Sequence, residues 1–241
     1  MSGLVNGLEW PLKLLQREGG YYECPKDADG KRLGPLVGYA GRDPQGLQYV
    51  GDVYANFAVT ESDPSLLGNY AEGLARGLRD VGERDFAGFI GVPEGGRTLA
   101  YELARFLNKS YIYPEKQVLE QATATSRAKE GFTFKRHTPL PHRSYVLVED
   151  VCNNFSSTQQ LIDLVDAAGA GVRRIVCILN RSSKFQGIYP LKNGHLPITA
   201  LVSRPMPEWQ QDDPAVADDI AKGNVVWKPK DEWKRLSEYM R

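Results

Sequence analysis

The stretch Tyr145-Val146-Leu147-Val148-Glu149-Asp150 constrains this chain more than any other. Four consecutive apolar residues without alternation read as a strand buried on both faces. Two carboxylates then stand where that strand ends. A polar loop, Cys152 to Ser157, follows, and Leu161, Leu164, Val165 and Ala168 recur at helical spacing beyond it. The same order of run, break and helix appears elsewhere. Phe86 to Val92 is a short apolar run, Pro93-Glu94-Gly95-Gly96 breaks it, and Thr98 to Asn108 carries Leu99, Leu103, Phe106 and Leu107 at helical spacing. Ser110 to Tyr113, Arg174 to Leu179 and Ile198 to Val202 read as further strands. A helix bearing Leu67, Tyr70, Ala71, Leu74 and Leu78 is predicted after Asp63-Pro64. Strand and helix in alternation predict an α/β fold, a parallel sheet flanked by helices.

The flanks read differently. Residues 1–60 are rich in glycine, tyrosine and turn residues, with Leu36 to Tyr39 and Gln48 to Val59 as strands. A small antiparallel subdomain is expected there. The core is expected over 61–205. Residues 206–241 form a C-terminal extension, with helix resuming at Asp213-Pro214, an edge strand at Asn224 to Trp227 and a closing helix from Asp231 to Met240. A chain of 241 residues with 41% hydrophobic content buries a core without staples. Thirty basic residues balance thirty acidic ones, which argues against a nucleic-acid surface. Three scattered cysteines and three histidines without ligand spacing give neither a disulfide framework nor a protein-built metal site. No signal peptide and no run of about 20 apolar residues is present, so a cytoplasmic protein with no membrane partner is expected.

The acid–loop–helix segment carries the chemistry. Open parallel sheets bind ligands at the carboxyl ends of their strands. Glu149 and Asp150 stand at such an end. The following helix N-terminus offers backbone N–H groups and a favourable dipole to a phosphate, and Asn153, Asn154, Ser156, Ser157 and Thr158 add side-chain donors. A phosphorylated sugar fits, with phosphate in the loop and hydroxyls on the acids. An ordinary capped polar loop would carry the same residue types; the adjacent pair of acids is what favours the ligand site.

This segment resembles the phosphoribosyl-pyrophosphate (PRPP) motif of type I phosphoribosyltransferases, an apolar strand, two acids, a short loop and a helix. The resemblance implies that Glu149 and Asp150 bind the ribose hydroxyls and that Asn153 to Thr158 bind the 5′-phosphate. Asn153 and Asn154 stand where the family has Thr or Ala, and Phe155 stands where it has Gly. Gly95-Gly96-Arg97, in a turn whose glycines allow close approach to an anion, is similar to the pyrophosphate loop of the orotate branch. Lys116 falls where that branch places a phosphate-contacting segment. Gln117 to Gly131, with Arg127 and Lys129, resembles its catalytic loop, without the family's His-Gly pair. Arg181 follows Asn180 where the branch has Asp-Arg, and the resemblance implies contact with the orotate carboxylate. Gly34 to Arg42 is similar to the N-terminal hood over the base.

The resemblance spans roughly residues 20–205 and implies a type I phosphoribosyltransferase fold with a small N-terminal hood and a C-terminal extension. It further implies transfer of ribose 5-phosphate from PRPP to a nitrogenous base, orotate first, with release of pyrophosphate. Mg²⁺ would be bound mainly through PRPP, and the protein would be a homodimer. Glu149, Asp150, Lys116 and Lys129 are the expected catalytic residues. Asn153, Asn154, Ser156, Ser157, Thr158, Gly95, Gly96, Arg97, Arg181 and Arg127 are the expected substrate-binding residues. A non-catalytic PRPP- or nucleotide-binding regulator of the same fold, or an enzyme for another base, is the alternative.

Overall fold

The computed structural model describes residues 9–120 and 129–240. The chain divides into two compact units, one made of the first 60 residues together with Pro205–Arg241, the other of Glu61–Arg204. The first unit begins with α1 (Trp10–Arg17), β1 (Tyr21–Glu23), β2 (Leu36–Arg42), β3 (Gln48–Gly51) and β4 (Val53–Ala55), then α2 (Ala58–Glu61) at the boundary. The second contains α3 (Pro64–Asp80), β5 (Gly88–Gly91), α4 (Gly96–Leu107), β6 (Ser110–Ile112), β7 (Glu115–Glu120), β8 (Lys129–Thr133), β9 (Ser144–Cys152), α5 (Ser156–Ala167), β10 (Gly171–Asn180), β11 (Ile188–Leu191) and β12 (Gly194–Ser203). The tail returns to the first unit with α6 (Ala217–Ala221), β13 (Val225–Val226) and α7 (Trp233–Ser237).

The second unit is built on a six-stranded sheet of order β11-β12-β10-β9-β5-β6. All neighbours are parallel except β11, which pairs antiparallel with β12 at one edge. The central strands are buried as their apolar runs require; Val146, Leu147, Val148, Phe89, Ile90, Ile175 and Leu179 are all fully enclosed. Asp63 caps α3 by accepting the N–H groups of Ser65 and Leu66, and Pro64 opens the helix. Tyr70, Ala71, Leu74 and Leu78 form its buried face. Where Gln117 to Gly131 was expected as a loop, the described arms β7 and β8 pair as an antiparallel ribbon, with Lys116 opposite Phe132. Alternation in Lys116-Gln117-Val118 was too short and polar a signal to outweigh the loop reading.

In the first unit, β1 pairs with β4 and β2 with β3, antiparallel in both cases. The run expected as one strand from Gln48 to Val59 breaks at Asp52 and ends in α2. Val225 and Val226 form the edge strand, parallel to Leu36 and Val37. The tail packs with the first 60 residues: Trp209, Val216 and Val225 share a cluster with Leu36 and Val50, and Trp233 donates its indole N–H to the Gly19 carbonyl. The helices of the tail are shorter than expected, five residues each. Among the described residues no helix is long and apolar enough to cross a membrane.

Candidate active site

Within the second unit, the carboxyl ends of β5, β9 and β10 meet. Glu149 and Asp150 lie inside β9, not after it, and both are half-buried. Asp150 accepts the Val151 N–H on Oδ1 at 2.8 Å, which fixes its carboxylate at the strand end.

The Gly95-Gly96 turn is pressed directly onto these acids. A Cβ on Gly95 would collide with the Asp150 carboxylate, and one on Gly96 with the Val148 carbonyl oxygen. Gly91 is equally confined, because its Cβ would stand 2.7 Å from the Cα of Arg97. Gly95 and Gly96 thus answer to the close approach of the β5–α4 turn to β9, and Gly91 to the approach of α4 itself. That contact sets the turn beside the acids, a role that sequence reading assigned only in terms of an anion.

Arg97, Glu94 and Lys116 form a small charged group at this turn. Arg97 donates to Glu94 at 3.1 Å, and the Lys116 ammonium lies 3.8 Å from the other Glu94 oxygen. The guanidinium also stacks 3.9 Å from the centre of the Tyr113 ring. Partial burial works against the Arg97 charge, but hydrogen bonds to Glu94 and Tyr111 outweigh it and hold its pKa above the ordinary arginine value. Both cations are thus held near the Gly95-Gly96 turn by one carboxylate. Neither Glu94 nor Tyr113 was singled out from the sequence, since a lone acid in a turn and a strand tyrosine carry no spacing signal.

The loop after β9 answers the question its sequence raised. Phe155 adopts φ 60° and ψ 18°, a left-handed conformation, immediately before α5. The backbone therefore takes the bend that glycine would take at this position. For a residue with a Cβ that bend costs about 1–2 kcal/mol. The side chain is turned into the core at 2% exposure, stacked on Tyr189 with ring centres 5.1 Å apart and edge-on to Phe185 at 5.5 Å. Two aromatic pairs of this kind contribute roughly 0.5–1.5 kcal/mol each beyond burial, enough to offset the strain. Asn154 Oδ1 accepts from both the N–H and the hydroxyl of Ser156, at 3.1 and 3.0 Å. Asn154 and Ser156 are exposed, Asn153 and Ser157 half-buried, and Thr158 is buried at 2%. The first turn of α5 leaves N–H groups without intrahelical acceptors, as every helix start does.

Arg181 is drawn to the same edge by its backbone, whose N–H donates to the Cys152 carbonyl at 2.9 Å, and the residue is 7% exposed. Asn180 before it is fully buried. Its amide donates to the carbonyls of Phe185 and Gln186 at 2.6 and 3.0 Å, and its Oδ1 accepts the Ser182 N–H. It organises the β10–β11 loop, a role its sequence position did not reveal. The Cys152 thiol is pushed well above the ordinary range by its hydrogen bond with Cys177 and then by burial, so it stays protonated and is no nucleophile. Arg127 lies outside the described residues. Lys129 opens β8, and its side chain is likewise outside them. Tyr39 of the expected hood is a core residue of its own unit, 4% exposed, and donates its hydroxyl to the Val53 carbonyl at 2.6 Å.

No cluster of three or more His, Cys, Asp or Glu that could hold a metal occurs among the described residues. Two adjacent carboxylates instead suit a hard cation that arrives already bound to phosphate oxygens.

No protein-family model matches the chain. Over 130 residues it is 32% identical to the orotate phosphoribosyltransferase of Carboxydothermus hydrogenoformans, covering 54% of this chain and 62% of that protein. Over 136 residues it is 30% identical to the orotate phosphoribosyltransferase of Caulobacter vibrioides, covering 56% and 60%. The matched region thus spans about three fifths of these relatives. Among solved structures, orotate phosphoribosyltransferase from Aeropyrum pernix superposes with a TM-score of 0.51 at 18% identity, covering 79% of this chain and 92% of the other. Adenine phosphoribosyltransferase from Trypanosoma brucei, in complex with AMP, pyrophosphate and ribose-5-phosphate, gives 0.52 at 16%, covering 83% and 82%.

Proposed function

We propose that this chain, which has the type I phosphoribosyltransferase fold and is similar in sequence to orotate phosphoribosyltransferases, transfers ribose 5-phosphate from PRPP to a nitrogenous base and releases pyrophosphate. The observation that carries the reading is the packing of the Gly95-Gly96 turn onto Asp150, next to a left-handed loop that starts α5. That arrangement sets two acids between two backbone segments suited to anions.

In this reading the ribose hydroxyls hydrogen-bond to Glu149 and Asp150. The 5′-phosphate sits against the first turn of α5, with Asn153, Asn154, Ser156 and Ser157 as side-chain donors. Thr158, being buried, contributes chiefly through its backbone. The pyrophosphate lies along Gly95 and Gly96, with Arg97 and Lys116 as its cations. As the C1–O bond lengthens, its electron pair leaves with pyrophosphate, and positive charge grows on the sugar. The nearby carboxylates favour that charge while a base nitrogen closes on C1. Mg²⁺ carried by PRPP would neutralise the leaving group when bound, with Glu149 and Asp150 as its neighbours. Lys129, the first residue of β8, and Arg127 belong to the proposal as cations that assist the transfer. A homodimer is part of it as well.

Orotate is the proposed acceptor. Arg181 supports it, since a guanidinium pairs with a carboxylate in two parallel bonds, and the names of the sequence relatives support it too. The test is incubation with PRPP, MgCl₂ and orotate, or adenine in its place, with pyrophosphate and nucleotide measured together. Orotidylate formed in step with pyrophosphate is expected. Turnover with adenine alone would reassign the base, and PRPP binding without turnover on any base would leave a regulator of the same fold.

A further inference from the structure

We propose that Tyr189 is a positioning residue for the phosphate loop, clamping Phe155 in the left-handed conformation from which α5 begins. The proposal rests on the reading that this loop takes the 5′-phosphate.

Tyr189 sits on the edge strand β11, opposite Leu196 of β12, and is 8% exposed. Its ring stacks on Phe155 with centroids 5.1 Å apart and planes 18° from parallel. Phe185 closes the triangle, edge-on to Phe155 at 88° and to Tyr189 at 73°. The Tyr189 hydroxyl donates to Gln159 Oε1 at 2.7 Å. The Gln159 backbone N–H in turn donates to the Phe155 carbonyl at 2.8 Å, and its amide nitrogen donates to Asp163 at 2.7 Å. Tyr189 therefore holds both the side chain of Phe155 and the helical turn that bonds its carbonyl.

The consequence reaches the ligand because of what a left-handed residue does. It turns successive backbone N–H groups toward one side, which is how a loop at a helix start cups an anion. Glycine adopts that conformation freely, whereas phenylalanine does not. Without its aromatic clamp, residue 155 would spread over other backbone conformations, and the N–H groups of the loop would no longer converge. Phosphate affinity should then depend on a ring in a strand that supplies no donor to the ligand. A tyrosine that merely fills the core would alter the melt, but glycine at position 155 would not rescue its loss.

The test measures PRPP affinity by calorimetry with Mg²⁺ present, and backbone amide order over residues 153–158 by NMR. Tyr189→Ala is expected to weaken PRPP about tenfold, equivalent to roughly 1.4 kcal/mol, and to disorder the loop amides. Tyr189→Phe keeps the stack and should lose less. The double variant Tyr189→Ala with Phe155→Gly should regain most of the lost affinity. A double variant as weak as Tyr189→Ala, or an unchanged affinity in Tyr189→Ala, would overturn the proposal. Should Tyr189→Ala fail to fold, Phe155→Gly and Phe155→Ala remove the same ring, and only glycine accepts the bend. Weaker binding by the alanine variant supports the clamp, and equal binding refutes it. Should the wild-type protein bind no PRPP, the phosphoribosyltransferase reading fails by itself. Loop order then decides the clamp: amides as ordered in Tyr189→Ala as in wild type would sink it.

Discussion

Gly95 and Phe155 stand at opposite ends of backbone tolerance. Gly95 is there because any side chain would strike Asp150, while Phe155 occupies a glycine-like bend because its ring is held in the core. Glu94, next to Gly95 in the chain, is bonded to Arg97 and lies near Lys116. If those two cations receive pyrophosphate, Glu94 competes with it. Exposed ion pairs contribute about 0–1 kcal/mol, so Glu94→Gln should tighten pyrophosphate binding by roughly two- to fivefold. A titration in which the variant binds more weakly than wild type would show instead that Glu94 aligns the cations for the ligand.

At the scale of elements, the β10–β11 loop does more than its sequence advertised. Asn180 stands where the orotate branch that the sequence resembles usually has Asp, and the fully buried amide suits this loop: it donates to two carbonyls, which a carboxylate cannot do. Asn180→Asp should therefore destabilise the protein by about 1–3 kcal/mol, read as a lower chemical-denaturation midpoint at unchanged m value. A stability equal to wild type would mean that the loop is held by its aromatic residues alone. The parallel sheet and α3, α4 and α5 were legible because apolar runs and helical spacing are strong local signals. The β7–β8 ribbon, α1 and edge strand β11 were not. Their apolar residues are few, and partners distant in sequence decide their pairing. The bend at Phe155 was legible only as a conflict, a large side chain at a position that asks for glycine. Its resolution lies in Phe185 and Tyr189, some thirty residues on, where no local pattern points back.

On the scale of the whole molecule, the proposed site residues fall in one of two compact units. Glu149, Asp150, Gly95, Gly96, Arg97, Lys116, Arg181 and the start of α5 all belong to Glu61–Arg204. The other unit joins the chain's beginning and end, with Val225 and Val226 completing a sheet begun by Leu36. From sequence the tail read as an extension with its own edge strand, because the partner of that strand, Leu36 and Val37, lies at the other end of the chain and leaves no local signal. The proposed activity depends first on Glu149 and Asp150, near the end of β9, binding the ribose of PRPP. Asp150→Asn preserves the oxygen that accepts the Val151 N–H and removes the negative charge. Calorimetric titration with PRPP and Mg²⁺ should show the variant binding roughly 10- to 150-fold more weakly, the loss of a charged hydrogen bond of about 1.5–3 kcal/mol, at a nearly unchanged melting temperature. PRPP affinity equal to that of the wild-type protein would show that the Asp150 carboxylate does not hold the ribose.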